Sequence, residues 1–430
     1  MLEFSMIQLV RKNGQKLDKE IQREFVKFYR PFRFIPCFFQ STFERIRKKA
    51  KKLSVLIEFE PDLYETGIND VKNSKCSNFR ELSSISCCSA KMSVETIESL
   101  LNQCKSIKKI HYDRRVNALL DVASPAVRAD QLKQSGLTGK DVTIAIIDTG
   151  IHPHQDLENR IVAFQDFINN RNTPYDDNGH GTHCAGDAAG NGSLSNGAYQ
   201  GPAPEANVVG VKVLDNIGAG SLSTVIAGIE WCIQNQSTLG IDVLSLSLGS
   251  TAVESAENDP VVRAVEAAWD RGMTVCVAAG NSGPSQGTIA SPGISPKVVT
   301  VGAANEQNTL NRTDDTVASF SSRGPTIDGI TKPDLITPGE NIISLRAPNS
   351  YLDRTNKYAR VGSNYFSLSG TSMSTPICAG VVAQLLERNP NLTPNEIKER
   401  LINACEDIGN SPNAQGHGYL DASLLISRPN

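Results

Sequence analysis

The chain has 430 residues, with 43 Lys and Arg against 46 Asp and Glu, so its formal charge is −3. Hydrophobic residues make up 39% and charged residues 21%, which suits a large core and excludes a disordered chain. The near-neutral charge removes the electrostatic basis for a general nucleic-acid binder. No apolar run approaches the roughly 18–20 residues of a membrane helix, and no secretory h-region follows Met1. We therefore expect a soluble protein of the cytoplasm.

The ten cysteines are expected to be reduced thiols. An even number of cysteines can indicate disulfides, but only in a secreted chain, and no secretory signal is found here. No CxxC pair occurs, so a structural zinc site has little support.

The first part of the chain predicts a helical N-terminal extension (residues 1–50) and a small α+β domain (residues 51–122). The basic run RIRKKAKK at 45–52 could contact nucleic acid, but no aromatic stacking pattern accompanies it, so a solvated helix face or linker is the simpler interpretation. Apolar spacing predicts three elements in the α+β domain: the strands Ser54–Phe59 and Ile107–Tyr112 and the helix Val94–Gln103.

The remainder of the chain, residues 123–430, alternates short apolar strands with amphipathic helices. The predicted strands are Val142–Ile147, Val208–Val213, Val243–Leu248, Thr274–Ala278 and Val298–Val301. The predicted helices are Ala123–Leu137, Leu222–Gln234, Pro260–Arg271, Ser372–Glu387 and one that starts near His180. Such alternation indicates a three-layer α/β domain with a parallel sheet, in which ligands bind beyond the carboxyl ends of the strands.

Two polar segments stand at predicted strand or helix ends. Asp148 ends the apolar run TIAIID, where a carboxylate can cap the next turn, hold a ribose or orient a histidine. His180 lies between glycines in DDNGHGTHCAG and could be a general base, whereas His183 is typical of a packed histidine. The H-x-x-H spacing also suggests a metal site, but the zincin pattern requires a Glu that is absent here.

Two further segments carry a hydroxyl and an amide. Ser372 opens the apolar helix of SGTSMSTPICAG, where it could be an N-cap or a nucleophile held by tight packing and the helix dipole. Asn281 in VAAGNSG follows a strand, where it could be a turn residue or an amide donor to an oxyanion.

Together the four segments supply the parts of an acyl-transfer site, namely a nucleophile, a base, an orienting carboxylate and an oxyanion donor. The segments around Asp148, His180 and Ser372 resemble the three signatures of the subtilisin-like serine proteases (subtilases, peptidase family S8), in that family's chain order. The resemblance covers about residues 125 to 425. The phrases YDDNGHGTHCAGD, GPAPEAN, FSSRGP and GTSMSTPICAG are most similar to the intracellular AprX-type branch.

The resemblance implies a subtilisin-like catalytic domain and a serine endopeptidase that acts through an acyl-enzyme. It assigns Ser372 as nucleophile, His180 as base, Asp148 as orienting carboxylate, and Asn281 with the Ser372 N–H as oxyanion hole. It also implies two substrate-binding edges, one formed by Gly218, Ala219 and Gly220 and the other by Ser247, Leu248 and Gly249. Ala278 and Gly280 are implied as part of a pocket wall. None of these residues is acidic, so we expect apolar or uncharged side chains to be preferred before the cut.

For the first 120 residues or so, the resemblance implies a propeptide-like inhibitor and folding domain whose tail crosses the active site. The apolar tail RVNALLD places a self-cleavage near Leu119–Leu120. The expected partners are protein or peptide substrates and the chain's own N-terminal domain, without nucleic acid or membrane.

No cofactor is expected for catalysis, while a structural calcium ion is possible. Asp156 matches a calcium ligand of some relatives, but the stretch 190–201 lacks carboxylates, which calcium prefers. Asp176 and Asp177 could ligate a cation or cap the turn before His180.

Two positions bear on how closely the chain follows the family. Ser374 stands where Ala is usual, and we expect activity to survive this small change. Cys184 follows the histidine segment, where it could be a reactive thiol or an inert buried one.

Two other functions remain to be weighed. A non-catalytic peptide-binding or chaperone-like protein could use the same cleft, and it would bind peptides without cleaving them. A nucleotide-binding oxidoreductase would need GxGxxG after the first strand, and DTGIHPHQ is not such a sequence.

Overall fold

The computed structural model describes residues 5–28, 37–113, 115–118, 126–307 and 312–427. The chain divides into two compact units, residues 1–114 and residues 115–430. Within the described ranges, no helix combines the length and apolar character needed to span a lipid bilayer.

The first unit is an antiparallel sheet with packed helices. Its described helices are α1 (Ser5–Asn13), α2 (Lys19–Phe28), α3 (Cys37–Ala50), α4 (Tyr64–Lys72) and α5 (Val94–Gln103). Its strands are β1 (Lys52–Phe59), β2 (Cys76–Leu82), β3 (Cys87–Ser93) and β4 (Ile107–Tyr112), in the order β2-β3-β1-β4. Apolar residues of β1 such as Val55 and Ile57 share one buried core with Ile97 of α5 and Ile21 of α2.

The sequence predicts only part of this unit. The bounds of α5 and β4 match the prediction, because their apolar spacing is regular. The pair β2 and β3 was not predicted. Most of β2 is exposed or half-exposed, so its sequence CSNFREL carries almost no apolar pattern.

The second unit contains a ten-stranded, mostly parallel sheet. Its strands are β6 (Thr143–Asp148), β7 (Ile161–Asp166), β8 (Asn207–Lys212), β10 (Ile241–Leu246), β12 (Thr274–Ala278), β14 (Val299–Asn305), β15 (Thr316–Val317), β16 (Leu335–Pro338), β20 (Cys405–Glu406) and β21 (Tyr419–Leu420). The order is β20-β21-β16-β14-β12-β10-β6-β8-β7, with β15 added to β14. The central strands are wholly buried, as expected for a parallel sheet covered on both faces.

Shorter strands form two smaller sheets. The first joins β5 (Arg115–Ala118), β9 (Ala219–Ser221), β11 (Leu248–Thr251) and β13 (Ala290–Ser291), in the order β13-β11-β5-β9. The second joins β17 (Ile342–Leu345), β18 (Arg360–Val361) and β19 (Tyr365–Leu368).

Helices cover the main sheet and complete the predicted α/β layering. They are α6 (Ala129–Gln134), α7 (His180–Ala189), α8 (Leu222–Leu239), α9 (Pro260–Asp270), α10 (Tyr351–Thr355), α11 (Thr371–Arg388), α12 (Pro394–Asn403), α13 (Pro412–Gln415) and α14 (Leu424–Ser427). Helices α8 and α9 pack together, as do α7 and α11, and each pair contacts strands of the main sheet. The α/β fold with a parallel sheet predicted from the sequence is thereby confirmed.

Several predicted elements differ in extent from the observed ones; β14, for example, runs to Asn305, four residues beyond the predicted end at Val301. The predicted strand Val243–Leu248 is divided, because β10 ends at Leu246, Ser247 leaves the sheet, and β11 begins at Leu248. The described part of the predicted helix 123–137 is only α6, since Arg128 before it has φ of 56°, and residues 123–125 lie outside the described ranges. Helix α8 passes the predicted end and stops at Gly240, whose φ of 61° suits glycine.

Candidate active site

Asp148 lies at the carboxyl end of β6, between the parallel strands β8 and β10. Its side chain is completely buried. Its Oδ1 accepts hydrogen bonds from Thr149 N and from His180 Nδ1, each at 2.7 Å. The carboxylate therefore fixes both the orientation of the imidazole and the nitrogen that carries its proton.

His180 is the first residue of α7, and glycines on both sides allow its close approach to β6. Gly179 has φ of 104°, a conformation that favours glycine. A Cβ atom at Gly181 would collide with the Gly150 carbonyl oxygen and lie 3.1 Å from the Asp148 Cβ. The G-H-G sequence is thus required for His180 to reach Asp148.

Asp176 fixes the turn that precedes α7. One carboxylate oxygen accepts from Thr149 Oγ1 (3.0 Å) and from two amides, Asn178 N (3.0 Å) and Gly179 N (2.8 Å). The other accepts from Thr182 N (2.9 Å) and Thr182 Oγ1 (2.6 Å). All five donors belong to the protein, so Asp176 acts as a cap and as a link between the segments that follow Asp148 and precede His180.

The charge of His180 depends on Asp148. Complete burial alone would lower the pKa of the imidazole, but the adjacent Asp148 carboxylate outweighs burial and holds the pKa well above the ordinary 6.5. The ion pair is therefore favoured at neutral pH, and the neutral form of His180 becomes more abundant as the pH rises.

Ser372 is the second residue of α11 and is fully buried. Pro376, four residues on, has no N–H to donate to the Ser372 carbonyl, so that carbonyl accepts instead from Ser247 Oγ (2.6 Å) and Cys184 Sγ (3.5 Å). In return, the Ser372 hydroxyl donates to the Ser247 carbonyl at 3.3 Å. The first turn of α11 is thus held against both α7 and the segment between β10 and β11.

Cys184 joins the two helices of the site. Its Sγ lies 3.8 Å from His180 Nδ1 and 3.5 Å from the Ser372 carbonyl oxygen. Burial raises the pKa of this thiol to about 12, so it stays protonated at neutral pH. The structure therefore favours the inert interpretation of Cys184 over a reactive thiol.

Asn281 follows β12 and faces the residue before Ser372. Its Oδ1 accepts from both the amide and the hydroxyl of Thr371, each at 3.0 Å. Since the oxygen end of the amide is fixed in this way, the orientation of its NH₂ end is fixed too. Gly280 N also donates to Thr371 Oγ1 (3.2 Å). The structure thereby brings the predicted oxyanion residue next to the predicted nucleophile.

The predicted substrate-binding edges flank a strand of the chain itself. In β5, Val116 pairs with Gly220 and Asn117 with Ala219 on one side. On the other side, Asn117 pairs with Gly249 and Ala118 with Leu248. All of these pairs are antiparallel. Of the other residues predicted at the edges, Gly218 directly precedes β9 and Ser247 lies between β10 and β11.

The remaining predicted site residues are those expected in the pocket wall and at the possible calcium site. Ala278 ends β12 and is buried, and a Cβ at Gly280 would lie 3.1 Å from the Ala290 Cβ. The Asp156 carboxylate accepts from Ser193 Oγ (2.8 Å), Leu194 N (3.0 Å) and Tyr365 OH (2.7 Å). These groups are hydrogen-bond donors, which do not fit a cation at this carboxylate.

His183 plays a structural part, as the sequence predicts. Its Nε2 donates to the Phe366 carbonyl (3.1 Å), and its Nδ1 contacts Asp187 Oδ2 at 2.9 Å. Among the described residues, the only cluster of three ligand-type side chains is Asp148, His180 and Cys184. A metal ion there would have to displace the proton between Asp148 and His180, so the H-x-x-H interpretation has no support.

Ser374, the departure from the family pattern, is fully satisfied. Its hydroxyl lies within hydrogen-bond distance of the Thr337 and Pro338 carbonyls, at 3.2 and 3.0 Å. Thr337 Oγ1 in turn donates to the Ser374 carbonyl at 2.8 Å. The extra oxygen therefore fixes α11 to β16 without approaching the Asp148–His180 pair in any described hydrogen bond.

A loop between β17 and β19 packs against the turn that leads to His180. Tyr351 N and Leu352 N donate to the Asp177 and Asn178 carbonyls at 2.8 and 2.9 Å. The loop is folded around Asp353, which is 2% exposed.

Two arginines of the loop share this carboxylate. Arg346 Nε and Arg360 Nε reach Asp353 Oδ1 at 2.6 and 2.7 Å. Although burial opposes ionisation, these guanidinium groups and a backbone amide lower the pKa of Asp353 to about 2.

Sequence reasoning missed the residues that hold the predicted ones in place. Thr371 orients Asn281, while Thr149 and Lys212 bind the segments around Asp148 and His180. Their only signal is position, since each stands within two residues of a candidate or at a strand end. A single threonine or lysine there has too many ordinary roles to be singled out.

Comparisons with known proteins agree with this geometry. The pattern of the subtilase family (Peptidase_S8) matches residues 139–418. Serine protease AprX of Bacillus subtilis (strain 168) is 51% identical over 99% of this chain and 99% of its own. Subtilisin DY of Bacillus licheniformis is 35% identical over 67% of this chain and 92% of its own length. Subtilisin Savinase of Lederbergia lenta is 37% identical over 69% of this chain and 94% of its own length. The chain belongs to the subtilase family of serine endopeptidases.

Proposed function

We propose that Ser372 attacks the scissile carbonyl of a protein substrate and that His180 accepts its proton. Asp148 keeps the imidazole in the required tautomer and stabilises the imidazolium that forms. His180 then returns the proton to the leaving amine, and water hydrolyses the acyl-enzyme by the same route in reverse. The observation that carries this proposal is the buried 2.7 Å bond from His180 Nδ1 to Asp148 Oδ1, on a helix linked to the nucleophile turn through Cys184.

The developing oxyanion is proposed to bind two donors. One is the Asn281 side-chain amide, whose orientation Thr371 fixes. The other is the Ser372 N–H, which is among the first four amides of α11 and so has no acceptor within the helix.

Replacing Asn281 by Ala should lower kcat by about 10²- to 10³-fold while KM changes little, because the oxyanion exists only in the tetrahedral states that precede and follow the acyl-enzyme and not in the bound substrate. The magnitude is taken from subtilisin itself. Steady-state cleavage of a peptide anilide measures both constants. Thr371→Val, which removes one donor to Asn281 but keeps the amide group, should give a smaller loss. An Asn281→Ala enzyme with kcat within threefold of wild type would contradict the assignment.

Substrates are proposed to bind as an extended strand between β9 and β11, where β5 lies in this structure. Backbone pairing of this kind recognises the peptide main chain first and side chains second. Small residues such as Ala278 and Gly280 would line the pocket before the cut and favour apolar or uncharged side chains. As proposed, catalysis needs no cofactor, and structural calcium, if present, would have to bind away from Asp156.

The N-terminal unit is proposed to inhibit the enzyme in the same chain, because β5 continues from it and occupies both edges. The proposed self-cleavage at Leu119–Leu120 lies outside the described residues. We further propose a cytoplasmic location, since buried cysteines such as Cys184, Cys232 and Cys276 are free thiols, as in a reducing compartment.

Phenylmethylsulfonyl fluoride tests the proposal directly, because only an activated serine displaces fluoride from it. The protein should cleave casein, lose activity with the reagent, and carry the sulfonyl group on Ser372 when its peptides are mapped by mass. Protein that has been unfolded by heating before the reagent is added should carry no sulfonyl group. Labelling at another serine would overturn the assignment. Casein binding without cleavage or labelling would instead favour the peptide-binding alternative.

A further inference from the structure

Lys212 is a fully buried lysine at the carboxyl end of β8, directly paired with Asp148 in the neighbouring strand. Its ammonium group donates to three acceptors: the Thr149 carbonyl at 2.5 Å, Asp177 Oδ1 at 2.7 Å and the Leu214 carbonyl at 2.9 Å. Three protons thus meet three acceptors, so the group is saturated.

Two of the three acceptors belong to the segments that present the proposed acid–base pair, and the third, the Leu214 carbonyl, lies two residues after Lys212 itself. Thr149 immediately follows Asp148, and Asp177 stands three residues before His180. The ring of Tyr175 lies beneath the ammonium, 5.3 Å from Nζ to the centroid, and adds a cation–π contact. The Lys212 ammonium group therefore connects the segment that follows Asp148 with the segment that precedes His180.

We propose that Lys212 is a positioning residue for catalysis, which uses its salt bridge to Asp177 and its bond to the Thr149 carbonyl to set the distance between Asp148 and His180. The proposal rests on the roles proposed above for that pair. Lys212 touches neither side chain of the pair in the described hydrogen bonds and acts only through the segments that carry them.

Burial explains why these contacts of Lys212 hold the two segments firmly. An ammonium group completely removed from water must keep all of its acceptors, since an unpaired proton there is costly. Asp177 is 37% exposed, so it could turn to solvent, but doing so would leave the lysine uncompensated. The Asp176 link between Thr149 and the α7 turn is independent of Lys212, and removing the lysine should therefore loosen the pair without abolishing it.

The test compares Lys212→Met with Lys332→Met. Lys332 is 1% exposed and binds Val298 O, Thr300 Oγ1 and Asp334 Oδ2, so it is an equally buried lysine with three acceptors at another place in the same unit. When rates are expressed per folded molecule at the assay temperature, Lys212→Met should lower kcat by about 10- to 100-fold and change KM by less than about twofold, because misplacing a catalytic group by about 1 Å has an effect of this size. Lys332→Met should lower the melting temperature but leave kcat unchanged.

Two further measurements keep the proposal falsifiable. Asp177→Asn removes the charge but leaves the other two acceptors of Lys212, so it should fold even if Lys212→Met does not, and its kcat should fall by about 3- to 10-fold. The far-downfield proton resonance of the His180 Nδ1–H should shift in Lys212→Met and stay in place in Lys332→Met, and this measurement needs no activity.

Unchanged kcat in both Lys212→Met and Asp177→Asn, in a background where the wild type is active, would overturn the proposal. Equal losses of kcat in Lys212→Met and Lys332→Met would do so as well. A wild type that neither cleaves casein nor reacts at Ser372 would instead count against the proposed function.

Discussion

Replacing Ser372 by Ala should lower turnover by about 10⁶-fold, a magnitude taken from subtilisin itself. The hydroxyl stands at the first turn of a helix held between α7 and the β10–β11 segment, and its removal leaves the proposed reaction without a nucleophile. The residual rate should be measured with a peptide anilide at high enzyme concentration. Ser374→Ala, two residues away in the same helix, is the matched control and should keep activity within a few-fold.

The same variant separates self-cleavage from permanent retention of the N-terminal unit. If the chain cuts itself near Leu119–Leu120, purified wild type should run shorter than Ser372→Ala on a denaturing gel by about the mass of that unit. The intact variant should then contain β5 still paired with β9 and β11. Equal lengths for both proteins would show that the first unit is kept, without affecting the assignment of the nucleophile.

Replacing Asp148 by Asn should lower kcat by about 10⁴-fold, the size of effect known from the corresponding change in a serine protease of another fold. The asparagine side chain has nearly the same shape, and its amide oxygen can take the Oδ1 position that accepts from both Thr149 N and His180 Nδ1. It carries no negative charge, however, so it no longer stabilises the imidazolium that forms when His180 takes the serine proton. The rotamer-fixing bond from Thr149 N can be kept by the amide oxygen.

The pH profile of the same variant gives an independent readout. In wild type, Asp148 outweighs burial and holds the pKa of His180 above 6.5, so kcat/KM should rise with pH on the alkaline side of that value, as the neutral base forms. Without the carboxylate the lowering effect of burial on the pKa of His180 is opposed only by the smaller raising effect of Cys184, and the rising limb should move to lower pH. A profile measured from roughly pH 5 to 10 that shows the same limb in both proteins would contradict the role of Asp148.

The candidate site residues stand out in the sequence more clearly than the small elements around them do. Asp148, His180, Asn281 and Ser372 could be found because each follows a strand or opens a helix whose apolar pattern is clear, and parallel strands bring their carboxyl ends to one edge. The buried strands β6 and β12 were predicted to within a residue or two for the same reason.

Other parts depend on contacts that a linear pattern does not contain. Ser247 looks like a residue within a continuous strand, yet it leaves the sheet because its hydroxyl and carbonyl both bind Ser372, 125 positions later. Asp156 matches a calcium position by sequence, but the hydrogen bonds from Ser193 and Tyr365 become visible only in three dimensions. Lys212 likewise reads as the polar end of an ordinary strand.

The loop folded around Asp353 has a consequence for a molecule that digests proteins. A cleft that receives its target as an added strand, as proposed above for the space between β9 and β11, can cut only backbone that is able to straighten. Straightening this loop would first require Arg346 and Arg360 to release the carboxylate that they share. The carboxylate remains ionised down to a pH of about 2. Ordinary acidification should therefore leave the contacts of Asp353 with Arg346 and Arg360 in place, and we expect the loop beside the proposed catalytic residues to be cleaved slowly by other copies of the enzyme.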